Sequence, residues 1–163
     1  MKLRNVFASV LAVAVVSAAA SAAPGHKPGE GHDHPEETAY GKPGDPKKPA
    51  RIVQIVFRED DGKMLFLPNN LKVRKGEQIR FQLRNNGVLD HEFVVGTVEE
   101  NLKHMKEMEK NPDMEHDDPN AKRLKPKATG EIVWQFTKAG TFDFSCLIPG
   151  HREAGMFGTI VVE

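Results

Sequence analysis

The sequence predicts an all-β fold, a Greek-key β-sandwich with one inserted helix and loop and a disordered N-terminal tail. Three observations point to it. Between Arg51 and Glu163 the chain is a series of short runs in which apolar and polar residues alternate, the period of a strand with one buried face. Gly, Asn, Asp and Pro clusters separate these runs, as turns between short strands require. Only from residue 97 to 130 does the pattern change, first to a helical composition and then to a charged loop.

The chain has 163 residues with equal numbers of basic and acidic side chains. Lys2 and Arg4 precede an apolar, alanine-rich run from Val6 to Ala20, and Ala20-Ser21-Ala22 has the small-residue pattern of a signal-peptidase site. Residues 1–22 are expected to be a cleaved signal peptide, which makes the mature protein exported, periplasmic and without a membrane anchor. The apolar run is shorter than the ~20 residues a membrane-spanning helix needs. Cleavage removes two basic residues and leaves 21 Lys and Arg against 23 Asp and Glu. That balance argues against nucleic acid as a partner, which would call for a basic surface.

Residues 23–50 are rich in Pro, Gly, Lys, Glu and His, with little to bury, and read as a flexible tail. The tail carries His26, His32 and His34 among acidic residues. It is either a solvated segment or a loose accessory site for copper or zinc.

The folded domain is expected over residues 51–163. Val53, Ile55 and Phe57 alternate with polar neighbours, Asp60-Asp61-Gly62 turns the chain, and Met64 to Leu67 resumes it. Leu71 and Val73 precede the turn Lys75-Gly76. Ile79, Phe81 and Leu83 show the clearest period of two, ended by Asn85-Asn86-Gly87, and His91 to Val95 forms the next strand. Thr97 with Glu100 is a capping-box signature, so a helix is expected over Val98 to Lys110, stopped by Asn111-Pro112. Its packing face is expected to hold Leu102, Met105 and Met108. Residues 113–127 read as an irregular loop. Strands return at Ile132, Trp134 and Phe136, at Phe142 and Phe144, and from Gly158 to Val162.

Chemistry concentrates at the end of the Phe142–Phe144 strand. Cys146, the only cysteine, is followed by His151 and then Met156, with four residues between each pair. One cysteine cannot close an internal disulfide, and an exported thiol beside a histidine and a methionine suits a metal. Thiolate and imidazole are strong copper ligands and thioether a weak axial one. The remaining strong ligand must come from elsewhere, and His91, at the head of an apolar run, is the candidate. Zinc would gain little from methionine. A Cys-His nucleophile pair would need an oxyanion hole, and no helix start follows Cys146 to supply one.

Residues Gly140 to Cys146, Pro149-Gly150-His151, Ala154-Gly155-Met156 and the segment from Asn85 to His91 resemble the cupredoxin family of small copper proteins, with a ligand-loop spacing most similar to rusticyanin and auracyanin. The resemblance covers residues 52–163. It implies an eight-stranded sandwich binding one type 1 copper through His91, Cys146, His151 and an axial Met156. Many cupredoxins have Asn or Ser after the first histidine, where this chain has Glu92, which leaves potential and colour open.

The insert brings together His104, Met108, Met114 and His116. They form either an accessory copper site or core and loop residues, with methionine filling gaps. The stretch from Met114 to Asn120 resembles a segment of cupredoxins associated with bacterial copper tolerance. The expected function is therefore copper binding in periplasmic copper tolerance and homeostasis, with a redox or copper-handling protein as partner. The alternative is a mobile one-electron carrier. An enzyme is disfavoured, because four protein ligands leave no open position for substrate.

Overall fold

Alternating strands assemble into two sheets because each must hide one apolar face. The structure, a computed structural model, describes residues 37–111 and 118–163. The expected signal peptide, His26, His32 and His34 of the tail, and Met114 and His116 of the insert lie outside the described residues. The strands are β1 (Lys42–Pro43), β2 (Arg51–Asp60), β3 (Lys63–Leu67), β4 (Asn70–Val73), β5 (Gln78–Asn85) and β6 (His91–Gly96). Helix α1 (Val98–Lys110) follows, then β7 (Ala121–Leu124), β8 (Thr129–Gln135), β9 (Gly140–Ser145) and β10 (Phe157–Val162).

One sheet has the order β1-β8-β5-β2-β3 and the other β4-β10-β9-β6-β7. The chain crosses between sheets repeatedly, so β2 pairs parallel with β5 and β10 parallel with β4, while the other pairings are antiparallel. Between the sheets lies an aromatic core of Phe57, Phe66, Phe81, Phe93, Phe136 and Phe144, each no more than 1% exposed. Phe93 sits at its centre, with ring centroids of Phe81 and Phe144 at 5.2 and 5.1 Å. Each such ring contributes roughly 1.5–3 kcal/mol by leaving water.

Three expectations are corrected. The folded part begins before Arg51: β1 pairs with β8, and Tyr40, buried, stacks on Trp134 at 5.4 Å. Gly41 permits this approach, since its φ is +130° and a Cβ there would collide with the Gln135 carbonyl. One tyrosine is invisible to a composition reading of a Pro- and Gly-rich stretch, yet it has an indole to cover. Residues 121–124, expected as loop, form β7 on the edge beside β6. Its Ala121 packs outside the sheet and Leu124 inside it, so no period of two shows.

The helix forms where expected, with both halves of the capping box made: Thr97 accepts from the Glu100 amide and Glu100 accepts from the Thr97 amide. Its buried face differs. Asn101 and Met108 are buried and Met105 is partly so, whereas Leu102 is exposed. Asn101 takes the inward position because a buried carboxylate, Asp143, awaits it at 2.8 Å.

Candidate metal centre

Strand β9 ends at Ser145, so Cys146 opens the loop that returns to β10. This loop is wound on its own backbone. The Cys146 amide donates to the Met156 carbonyl at 3.0 Å, the Met156 amide to the His151 carbonyl at 3.0 Å, and the His151 amide to the Ile148 carbonyl at 3.0 Å. Gly150 and Gly155 take the positive φ values, +85° and +102°, that such tight winding needs. The Met64 amide ties the loop to β3 by donating to the Ala154 carbonyl at 3.0 Å.

Three donor atoms converge from two places in the chain. His91, the first residue of β6, has its Nδ1 3.2 Å from His151 Nδ1, and Cys146 Sγ lies 3.3 Å from that same His151 nitrogen. The ligand atoms of His91, Cys146 and His151 all lie within 4.8 Å of one another, the one such cluster of three or more among the described residues. Cys146 and His91 are fully buried and His151 is 9% exposed. Met156, also fully buried, is held beside them by its two backbone bonds to the cysteine and histidine.

Side chains and amides around these donors prepare them. The Glu92 amide donates to Cys146 Sγ at 3.3 Å. His91 Nε2 meets Glu59 Oε1 at 2.7 Å, and the same carboxylate accepts from the amides of Val88 and Leu89. Partial burial raises the Glu59 pKa, but the bonds from His91, Leu89 and Val88 outweigh it and hold the carboxyl below its ordinary value. Burial, with the nearby His91, lowers the His151 pKa, which favours the neutral imidazole a metal requires. Burial pushes the Cys146 thiol up to about 12. A buried thiol becomes a thiolate only when a cation takes the proton's place, and two imidazole nitrogens beside it complete a donor set suited to copper.

On the outer face of the sheet, Asp143 accepts from Asn101 of α1, from Ser145 Oγ at 2.6 Å, and from Arg152 Nη1 at 2.8 Å. Arg152 also bonds Ser145 Oγ. The residue following His151 is thus clamped to the residue preceding Cys146. Glu92 lies on this face, 3% exposed and with Oε2 unpartnered among the described residues. Burial raises its pKa to about 6, against a lowering by Arg123.

A family model described as copper binding proteins, plastocyanin/azurin family, matches residues 53–163. The chain belongs to this family. Copper is therefore the cofactor of this cupredoxin, and the convergent thiol and imidazoles suit it. The chain is 47% identical over 168 residues to the copper-resistant cuproprotein CopI of Rubrivivax gelatinosus, covering 100% of both. It is 33% identical over 154 residues to the protein of the same name from Pseudomonas aeruginosa, covering 77% of this chain and 83% of that one. Among solved structures, auracyanin B superposes with a TM-score of 0.61 at 23% identity, over 76% of this chain and 96% of that one, a likeness of fold.

Of the accessory residues expected from the sequence, His104 and Met108 are among the described ones. Met108 is 1% exposed and packs with Val94, Ala121 and Leu147, so its thioether fills a gap in an apolar layer. His104 lies on the same helix, partly buried. Glu59 and the Asp143–Arg152 clamp had no signal in the sequence: Glu59 sits in a charged run that reads as a wet turn, and Asp143 on a strand reads as an outward residue.

Proposed function

We propose that this cupredoxin binds one copper ion through His91 Nδ1, Cys146 Sγ and His151 Nδ1, with Met156 as a weak axial ligand, and that it acts in copper resistance after export to the periplasm. The convergence of those three donors carries the ligand reading. The full-length likeness to the CopI of Rubrivivax gelatinosus supports the copper-resistance role, and the sequence of residues 1–22 supports export. Among the described residues no helix is long and apolar enough to cross a membrane.

The chain's own residues hold and shield the ion. Phe57, edge-on to His91 at 6.3 Å, and the buried Met156 exclude water. The wound loop keeps Cys146, His151 and Met156 in place before metal arrives, and Glu59 and Arg152 brace its two histidine sides. Bound copper supplies one-electron exchange, and a thiolate, imidazole and thioether donor set suits both of its oxidation states. Four protein ligands leave no position for a substrate, which argues against an enzyme.

Substituting Cys146→Ser is expected to abolish the intense visible absorption of the Cu(II) protein while the apoprotein stays folded. An unchanged band would overturn the ligand set. A strain lacking the protein is expected to become copper-sensitive with normal respiration.

A second reading, a mobile electron carrier, draws support from exposed apolar side chains at the centre's rim. Val88 and Leu89 are 72% and 42% exposed beside Glu59, and Phe157 is 46% exposed against Arg152. They suit docking of a redox protein. A respiratory defect at low copper, without copper sensitivity, would favour this second reading.

A further inference from the structure

Resting on the ligand set proposed above, we propose that Glu59 is a positioning residue of the copper centre, which holds His91 in the tautomer that frees Nδ1 and by its charge favours the oxidised ion over the reduced one. A neutral imidazole carries one N–H, and a carboxylate only accepts. With Glu59 Oε1 at 2.7 Å from Nε2, the proton belongs on Nε2 and the lone pair on Nδ1, the nitrogen that faces His151 and Cys146.

The carboxylate is itself held. Oε2 accepts from the Val88 amide at 3.1 Å and Oε1 from the Leu89 amide at 3.1 Å. Glu59 stands near the end of β2, paired with Met64 across the hairpin to β3, so it fastens that hairpin to the connection between β5 and β6. Gly87 makes the approach possible, because a Cβ there would fall on the Glu59 carboxylate. A ligand histidine whose far nitrogen donates to a carboxylate is more basic, and loss of such a partner typically costs about 10–100-fold in metal affinity. The negative charge acts more strongly on Cu(II) than on Cu(I), so it lowers the reduction potential.

Two substitutions separate position from charge. In Glu59→Gln the amide oxygen can still accept from His91 Nε2 and the Leu89 amide, so the tautomer is kept and the charge is lost. In Glu59→Ala both are lost. In the metal-free protein, imidazole nitrogen NMR is expected to find His91 protonated on Nε2 in the wild type and in E59Q, and a mixture of tautomers in E59A. In the copper-loaded protein, E59Q is expected to bind Cu(II) about tenfold more weakly with Cu(I) binding less changed, which raises the potential by about 59 mV for a tenfold difference.

A wild-type apoprotein with the His91 proton on Nδ1 would overturn the positioning role without any variant. So would an E59A protein that keeps the single Nε2–H form. An E59Q protein at the wild-type potential would overturn the charge role. Failure of the ligand set itself is read separately, from a Cys146→Ser protein that keeps its visible band.

Discussion

Strands β5 and β6 follow one another in the chain and lie in opposite sheets, yet they bury their residues in different ways. In β5, Ile79, Phe81 and Leu83 are buried while Arg80, Gln82 and Arg84 are not, and its outer face is wet. In β6 every residue from His91 to Gly96 is buried, and Met105 and Met108 of α1 pack with Ala121 and Leu147 over the outer side at Val94. The site is built from the doubly covered sheet: His91 opens β6 and Cys146 follows its neighbour β9. The candidate donor atoms there have packed side chains on both sides of the strand.

The sharpest way to test that contrast is to break one ion pair on each outer face. Asp143→Ala removes the acceptor for Asn101, Ser145 and Arg152 and leaves a partly buried guanidinium, with Arg152 only 14% exposed. We expect a loss of about 3 kcal/mol or more in urea unfolding of the apoprotein. Glu131→Ala removes the partner of Arg80 on the open sheet, where Glu131 is 43% exposed, and is expected to cost about 0–1 kcal/mol. Equal losses would mean that the helix-covered face is no drier than the open one.

Truncations along α1 refine the same contrast. Met108→Ala opens a void among Val94, Ala121 and Leu147 and is expected to destabilise by about 2–5 kcal/mol. Leu102→Ala, on the solvent side of the helix, should fall within about 0.5 kcal/mol of wild type. Thermal melts of the two variants measure the difference directly.

The smallest effect belongs to the open sheet's end. The Arg51 guanidinium, with help from the Arg74 amide, holds the Glu77 carboxyl below its ordinary value. A lowered folded-state pKa contributes stability above the unfolded value, and that contribution disappears as pH falls through the folded one. Glu77→Gln should therefore be slightly less stable than wild type at pH 7, and the gap should close below the ordinary glutamate range near pH 4. A gap that widened in acid would reverse the assigned sign.

The chain's local periods account for what was legible. Runs such as Ile79-Phe81-Leu83 declare a strand because one side of their sheet meets water, and Thr97 with Glu100 declares a helix start because a capping box closes within one turn. The Cys146, His151 and Met156 loop was legible for the same reason, since three donors lie within one short stretch. His91 needed chemistry as well as spacing, because only the demand for another nitrogen points to it.

Tertiary structure alone decided the remainder, because the deciding contacts join residues that no local pattern links. Glu59 of β2 reaches His91 in the opposite sheet across 32 positions, and Asn101 of α1 reaches Asp143 of β9 across 42. Tyr40 enters the core only because Trp134 lies uncovered at the sheet's edge, and β7 is a strand only because β6 offers it an open edge. The sequence by itself determined which residues prefer strands and which atoms could bind copper. Folding decided which acids and amides stand behind those atoms, since a carboxylate that looks solvated in a charged turn becomes the partner of a buried imidazole only when the sheets close.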